Sequence, residues 1–184
     1  TIAAQCMLWQ TSPAATEMET VMLDWLRQAI GLPEKFSGVI QDPASSATLA
    51  AVLTMRERAL DWQGNPLALP GAPRLRIYCS EEVHTSVDRA ICVSGVGQDN
   101  LVRIPISGPL RGMNAGALKA AIQADITSGY HPAGIIACTG GTGTGACDDL
   151  TEVVKVSKEF NLYSHVDAAW AGAGMICPEF RELW

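Results

Sequence analysis

The sequence lacks the features that mark several large classes of protein. No basic run is longer than the three residues 56–58, the net charge is −6 and the pI is about 5.0, so the chain is not expected to bind nucleic acid. No apolar run approaches the roughly 18 residues that a membrane helix needs, and no signal peptide is recognisable at Thr1. We therefore expect a cytoplasmic protein that does not contact membranes.

The cysteines lack the spacing of a metal site or a disulfide framework. No C-x-x-C pair occurs, several cysteines lie in apolar runs, and free cysteine in such runs behaves as a small hydrophobic residue. We expect reduced thiols and no bound metal. The six cysteines are Cys6, Cys79, Cys92, Cys138, Cys147 and Cys177.

Apolar segments typical of strands alternate with segments of helical periodicity. The apolar fraction of 48% suits strands that are buried on both faces. Such alternation predicts βαβ units and an α/β fold with a mainly parallel sheet covered by helices. Strands are predicted at 74–79, 101–106, 134–138 and 162–167. Helices are predicted at about 13–30, 45–60, 83–91, 117–126 and 148–160.

Two stretches at predicted strand ends organise the rest of the chain. They are LYSHVDAAWAG at 162–172 and the glycine-rich TGGTGTGACDD at 139–149. Asp167 closes a buried strand and is expected to need a cationic partner, because an unpaired buried carboxylate is unfavourable.

The residues leave two interpretations of Asp167 open. In one, Gly141, Gly143 and Ala146 form the G-x-G-x-x-A turn of a dinucleotide fold, with Asp167 as the acidic residue about 20 positions further on. In the other, Asp167 pairs with the ring nitrogen of pyridoxal phosphate.

Two further positions have a functional and an ordinary interpretation. Small hydroxyl residues in DPASSAT, 42–48, open a helix and are able to bind an anion, but the residues alone favour ordinary capping by Ser45 or Ser46. His84 is predicted in the first turn of a helix after the strand 74–79. With Asp88 four residues later, it is more typical of a surface ion pair.

Four stretches together resemble the group II pyridoxal-phosphate-dependent amino-acid decarboxylases, most closely the branch that acts on aromatic amino acids. They are WQTSPAATEMETVMLDWL, DPASSATLAAVL, YCSEEVHTSVDRA and HVDAAWAGAGMICPEFR. The resemblance covers nearly the whole chain. It implies the aspartate-aminotransferase-type fold (fold type I), with residues 1–184 as part of the cofactor-binding large domain. It also implies a homodimer that converts an L-amino acid, tyrosine, tryptophan, phenylalanine or dihydroxyphenylalanine among the candidates, into an amine and CO2.

The resemblance assigns cofactor contacts to named positions. Ala44 and Ser45 would meet the phosphate of pyridoxal 5'-phosphate at the helix mouth. His84 would stack on one face of the ring, and the methyl group of Ala169 would pack on the other. The glycine-rich run would pass under the cofactor, its glycines permitting a close approach of the backbone.

The resemblance also assigns the reacting groups. Asp167 would hold the ring nitrogen protonated, so that the ring absorbs the charge left when CO2 departs. Thr139 would lie close to the ring substituents and to the reacting carboxylate. His84, Asp167 and Thr139 are thus the expected catalytic residues.

The sequence also departs from the family pattern. Pro43 stands where a small or hydroxyl residue is frequent, and Trp170 stands where the aromatic branch often has tyrosine. The cofactor-anchoring lysine, the C-terminal small domain and the N-terminal segment are expected outside residues 1–184. The lysines without matching context are Lys35, Lys119, Lys155 and Lys158. The alternatives that remain are an aldehyde-forming oxidative decarboxylase, an NAD(P)-dependent oxidoreductase and a noncatalytic fragment.

Overall fold

The computed structural model describes residues 8–183, and these fall into two compact units. The first unit comprises residues 8–42 with 173–182, and the second comprises residues 43–172. No helix among residues 8–183 is long and apolar enough to cross a membrane. The prediction of a reduced Cys6 lies outside the described residues.

The first unit is built on helix α1, Pro13–Ala29. Proline at the first helical position confirms the predicted start, although the side chain of Ser12 makes no capping hydrogen bond. Arg181, in a 3-10 helix near the C-terminus, donates to the carbonyls of Met175 at 2.8 Å and Ala29 at 2.7 Å. It thereby satisfies a carbonyl that the end of α1 leaves unpaired.

The second unit alternates strands and helices. Its strands are β1 Leu75–Ser80, β2 Leu101–Ile104, β3 Ile106–Ser107, β4 Gly112–Met113, β5 His131–Cys138 and β6 Tyr163–Asp167. Its helices are α2 Ala44–Ala59, α3 Gly64–Leu67, α4 Ser86–Val93, α5 Ala115–Thr127 and α6 Leu150–Glu159. The predicted elements are confirmed with shifts of a few residues at their ends.

Four strands form a parallel sheet in the order β2-β1-β5-β6, which confirms the predicted fold class. The predicted strand 101–106 was wrong at its end, because β2 stops at Ile104 and Ile106 begins a separate hairpin, β3 with β4. Between them lies Pro105, which has no N–H to donate to a ladder and instead accepts from Asn114 N at 3.0 Å.

Side chains of the central strands pack alternately on two helical layers. Ile77 and Cys79 of β1 face a core shared with α2 and α4, whereas Tyr78 faces a core shared with α5 and α6. In β5, Ile136 and Ile135 divide in the same way. Burial on both faces explains why these strands read as continuous apolar runs.

The strand order creates a crevice at the carboxyl edge of the sheet. After β1 the chain runs to β2 on one side, and it then returns to place β5 on the other side of β1. Loops that diverge in this way leave a crevice where ligands bind in open α/β sheets. The strands β1, β5 and β6 end here at Ser80, Cys138 and Asp167.

Candidate active site

A cavity of about 160 Å³ lies at the carboxyl ends of β1, β5 and β6. It collects side chains from the start of α2, the loop after β1, the glycine-rich loop after β5 and the end of β6. Five of the six residues predicted to contact a cofactor line it: Ala44, Ser45, His84, Asp167 and Ala169. The sixth, Thr139, lies between two lining residues, Cys138 and Gly140. The roles of the six residues remain predictions.

Helix α2 begins at the cavity without a side-chain cap. Pro43 occupies the N-cap position and contributes no side-chain acceptor, and the first turn contains no acidic residue. Capping by Ser45 or Ser46, which the sequence alone favoured, is therefore wrong; the Ser46 hydroxyl instead donates to the Pro43 carbonyl at 2.7 Å. The amide groups and the positive end of the helix dipole are left available for an anion.

His84 lies in the loop before α4, which begins at Ser86, so its predicted place in the first helical turn was wrong. The backbone N–H of Ser86 donates to His84 Nδ1 at 3.2 Å, and the Ser86 hydroxyl lies 3.0 Å from the same nitrogen. These two contacts fix the ring at the edge of the cavity. Asp88 pairs with Arg103 at 2.6 Å, so the ion pair considered for His84 does not form.

Asp167 ends β6 and faces the cavity. Its Oδ1 accepts from Ala169 N at 3.1 Å, and no ion pair with a basic side chain is found for it within residues 8–183. The cationic partner expected from the sequence is therefore not supplied by this part of the chain. Burial raises the pKa of the Cys138 thiol to about 12, and the negative charge of Asp167 adds to that effect. Burial also lowers the pKa of His165, and the negative charge of Asp167 partly offsets this decrease.

Thr139 does not line the cavity, but it follows Cys138, which does, and its side chain is buried. The residue is 2% exposed, and its N–H donates to the Asp167 carbonyl at 2.9 Å, which joins β5 to β6 beyond the ladder. Its Oγ1 is buried and has no hydrogen-bond partner among the described residues. A buried hydroxyl that lacks a partner is unfavourable unless a ligand or water satisfies it.

The glycine-rich loop approaches the end of β6 closely. Gly140 has φ +74°, and a Cβ on it would lie 2.5 Å from Ala171 Cβ and 2.7 Å from Trp170 Cε3. Only glycine fits this backbone conformation and this gap without displacement. Trp170 is 71% exposed and lines the cavity beside Ala169.

The same loop argues against a dinucleotide site. Helix α6 begins at Leu150, and Asp149 caps it by accepting from Glu152 N at 3.1 Å. A carboxylate therefore occupies the helix start where a pyrophosphate would need to bind. The G-x-G-x-x-A match at Gly141 thus lacks the structural context that its interpretation requires.

Two acidic residues near the cavity were missed by sequence reasoning. Asp148 is buried and accepts from Met113 N and Cys138 N, each at 2.6 Å; burial raises its pKa, and these two hydrogen bonds oppose the rise. Glu82, in the loop that carries His84, accepts from Arg111 and Thr144. The one sequence signal for Asp148 is its place next to a second acid at the end of the glycine-rich run 139–147.

The groups around the cavity suit a small planar ligand with an anionic group. Within residues 8–183 the amide groups of Ala44 and Ser45 and the Thr139 hydroxyl have no hydrogen-bond acceptor; the amides suit the anion, and the Asp167 carboxylate suits a protonated ring nitrogen. These are the positions to which the family resemblance assigned cofactor contacts, and their roles remain predictions.

Comparison with known proteins identifies the family of the chain. Residues 1–184 match the pyridoxal-dependent decarboxylase conserved domain. The chain is 41% identical to aromatic-L-amino-acid decarboxylase of Sus scrofa, over 95% of this chain and 38% of the relative. It is 36% identical to tyrosine decarboxylase 2 of Arabidopsis thaliana, over 95% of this chain and 33% of the relative.

A solved structure agrees with the sequence comparison. The tryptophan decarboxylase of Catharanthus roseus, in complex with L-tryptophan, superposes with a TM-score of 0.87 at 35% identity, over 95% of this chain and 38% of that chain. The chain thus spans between a third and two fifths of the length of these proteins. By sequence and by fold, the chain belongs to the pyridoxal-dependent decarboxylase family.

Proposed function

We propose that the protein carrying this chain uses pyridoxal 5'-phosphate to remove CO2 from an aromatic L-amino acid and release the amine. Membership of the family supports the cofactor and the type of reaction. The names of the relatives, which act on aromatic amino acids, tyrosine and tryptophan, support the substrate class. The single observation that carries the proposal is the convergence of His84, Asp167 and the start of α2 on one cavity.

The start of α2 would bind the phosphate group. Pro43 gives the helix no side-chain cap, so the amide groups of Ala44 and Ser45 and the Ser45 hydroxyl have no competitor from a capping side chain. A dianionic phosphate gains both hydrogen bonds and the favourable end of the helix dipole at such a position. His84, whose ring is held by Ser86, would cover one face of the cofactor ring, and Ala169 would cover the other.

Asp167 would hold the proton on the ring nitrogen. The bound cofactor supplies an electron-withdrawing ring that stabilises the charge released when CO2 leaves the amino acid. One oxygen of Asp167 accepts from Ala169 N, and Asp167 forms no ion pair with a basic side chain of residues 8–183. Its negative charge is therefore available to a protonated nitrogen. A short charge-assisted hydrogen bond of this kind is roughly twice as strong as a neutral one.

Thr139 would orient the reacting groups. Thr139 lies between two residues that line the cavity, and its buried hydroxyl lacks a partner among the described residues, so it would have a hydrogen bond to offer a ring substituent or the substrate carboxylate. Its backbone is fixed to Asp167 by the N–H to carbonyl bond of 2.9 Å. Donor and carboxylate are therefore kept in one rigid arrangement, which favours catalysis by orientation.

We further propose a cytoplasmic homodimer. Helix α1 contains no buried residue within the described part of its unit. It exposes an apolar stripe formed by Met18, Val21, Met22, Trp25 and Leu26. A stripe of this kind is typical of an interface between subunits. The five described cysteines are unpaired, which suits a reducing compartment.

The test is a product assay on the full-length protein and an Asp167→Asn variant. Tyrosine, tryptophan, phenylalanine and dihydroxyphenylalanine are offered with pyridoxal 5'-phosphate, and CO2 and amine are measured, with glutamate and histidine as comparison substrates. We expect Asp167→Asn to lose on the order of 100-fold in rate, because a preorganised electrostatic group is removed. Glu159→Gln is the matched control, since Glu159 pairs with Lys119 on the surface.

Three results would contradict the proposal. Equal rates for Asp167→Asn and Glu159→Gln would remove Asp167 from the reaction. Hydrogen peroxide and ammonia with an aldehyde, in place of the amine, would identify an oxidative decarboxylase. Binding of NAD with no response to pyridoxal 5'-phosphate would identify a different class of enzyme. Light scattering on the same preparation measures whether the protein is a dimer.

A further inference from the structure

We propose that Glu82 is a positioning residue that holds the loop carrying His84 against the glycine-rich loop, and so sets the affinity of the site for its cofactor. This inference rests on the proposed function for the identity of the cofactor. The junction itself is a property of the second unit and is measurable without any ligand.

Three separate segments meet at the Glu82 carboxylate. Oε1 accepts from Arg111, in the turn between β3 and β4, through Nε at 3.1 Å and through Nη2. Oε2 accepts from the Thr144 hydroxyl at 2.9 Å, in the middle of the glycine-rich loop. One side chain therefore joins the loop after β1, the β3–β4 turn and the loop after β5.

The backbone at Glu82 is fixed on both sides of the carboxylate. Its N–H donates to the Ser80 hydroxyl at 3.1 Å, and the next residue, Val83, is buried in the core next to α2 and α4. The backbone carbonyl oxygen of Glu82 lies 3.2 Å from the position that a Cβ on Gly141 would occupy. The two loops thus touch at the backbone as well as through side chains, and His84 follows two residues later.

The junction depends on a charged carboxylate whose two oxygens both accept hydrogen bonds. The Arg111 guanidinium holds the pKa of Glu82 below its usual range, and the Thr144 hydroxyl adds to this effect. A glutamine in its place would keep one acceptor oxygen for Arg111 but lose the negative charge, and its NH2 group would face the Thr144 hydroxyl, which would then have to accept rather than donate. The substitution Glu82→Gln therefore replaces the ion pair with Arg111 by a weaker neutral contact and reverses the hydrogen bond to Thr144, while keeping the side-chain volume.

The two loops that the junction joins both line the cavity that would hold the cofactor. Gly140, Gly141 and Thr142 line it from the glycine-rich loop, and His84 lines it from the loop after β1. In each loop, the residues that line the cavity lie within a few positions of Glu82 or Thr144. Loosening the junction widens the range of separations between His84 and the glycine-rich loop, and a ligand must then pay an added ordering entropy to bind between them.

The experiment compares full-length Glu82→Gln, Thr144→Val and the neighbouring control Glu81→Gln, since Glu81 is exposed and its side chain is not part of the junction. The dissociation constant of pyridoxal 5'-phosphate is measured by the circular dichroism of the bound cofactor. Loss of one or two charged hydrogen bonds predicts an increase of roughly 3- to 30-fold for Glu82→Gln and a smaller one for Thr144→Val. Glu81→Gln is expected to match the wild type.

A second readout separates this inference from the proposed function. Hydrogen exchange in the cofactor-free protein should be faster in both 82–86 and 140–146 for Glu82→Gln, with the melting temperature nearly unchanged. Faster exchange with an unchanged affinity overturns the link to the cofactor. Unchanged exchange in both loops, or global unfolding in Glu82→Gln with wild-type behaviour in Thr144→Val, overturns the positioning role. If the wild type ignores pyridoxal 5'-phosphate but the exchange result holds, the proposed function alone has failed.

Discussion

Replacing Gly140 by alanine tests how closely the glycine-rich loop must approach the end of β6. Gly140 combines two demands, a φ of +74° and a Cβ position only 2.5 Å from Ala171 and 2.7 Å from Trp170. A left-handed backbone costs an L-residue about 1–2 kcal/mol, and overpacking adds about 1–3 kcal/mol. We therefore expect Gly140→Ala to lower the free energy of unfolding by about 2–5 kcal/mol.

Two glycines of the same loop separate these contributions. Gly145 has φ +70° but open space around its Cβ position, so Gly145→Ala measures the backbone effect alone, about 1–2 kcal/mol. Gly143 has open space and no left-handed φ, so Gly143→Ala should be neutral or stabilise by up to about 1 kcal/mol. The order of stability is thus Gly143→Ala, then Gly145→Ala, then Gly140→Ala.

Chemical denaturation of the three variants measures these differences at constant m-value. Gly140→Ala should also change the fluorescence of Trp170, because the new methyl group displaces the indole. The reasoning is refuted if Gly140→Ala is no less stable than Gly145→Ala, since the close contact with Ala171 and Trp170 would then be without consequence.

Two further predictions concern buried groups. Asp148→Ala leaves the amides of Met113 and Cys138 without acceptors and should destabilise by about 2–6 kcal/mol, whereas Asp148→Asn keeps one acceptor and should lose less; equal losses in thermal melts would contradict this. Burial raises the pKa of Asp148 above 3.8, so the folded state binds the carboxyl proton more tightly than the unfolded state does. The stability of the wild type relative to Asp148→Asn should therefore fall as the pH rises from 3.8 through the raised pKa. An increase in that relative stability over the same pH range would contradict this reasoning. Iodoacetamide at pH 8 should alkylate exposed Cys92 and spare Cys79 and Cys138, whose burial raises each pKa to about 12, with peptide mass spectrometry as the measurement and alkylation of all three in denaturant as the control.

Much of the fold was predictable because its signals are local. Strands buried on both faces give continuous apolar runs, and α1 begins at a proline that suits the first helical position. The exceptions were also local in origin. The prediction of one strand at 101–106 was wrong because β2 ends before Pro105. The helix predicted from residue 83 begins only at Ser86.

The candidate site was predictable only as far as residues in one segment define it. His84 follows β1 and Asp167 ends β6, and parallel strands bring their carboxyl ends to one edge, so the convergence of these two residues followed from the fold class. The absence of a side-chain cap on α2 did not, since two serines beside the helix start favoured such a cap, whereas the N-cap residue is Pro43, which has no side-chain acceptor. The partner of His84 was also misjudged, because its ring contacts the Ser86 hydroxyl and Asp88 instead pairs with Arg103.

The amino-acid sequence by itself determined the class of fold, the order of its elements and the family, because periodicity and short motifs survive without knowledge of distant contacts. Tertiary structure alone decided which groups share a partner. Glu82 meets Thr144 from 62 positions away and Arg111 from 29, and Asp148 reaches Met113 from 35. No local pattern encodes such pairs, since they depend on which strands lie side by side and where the loops between them turn.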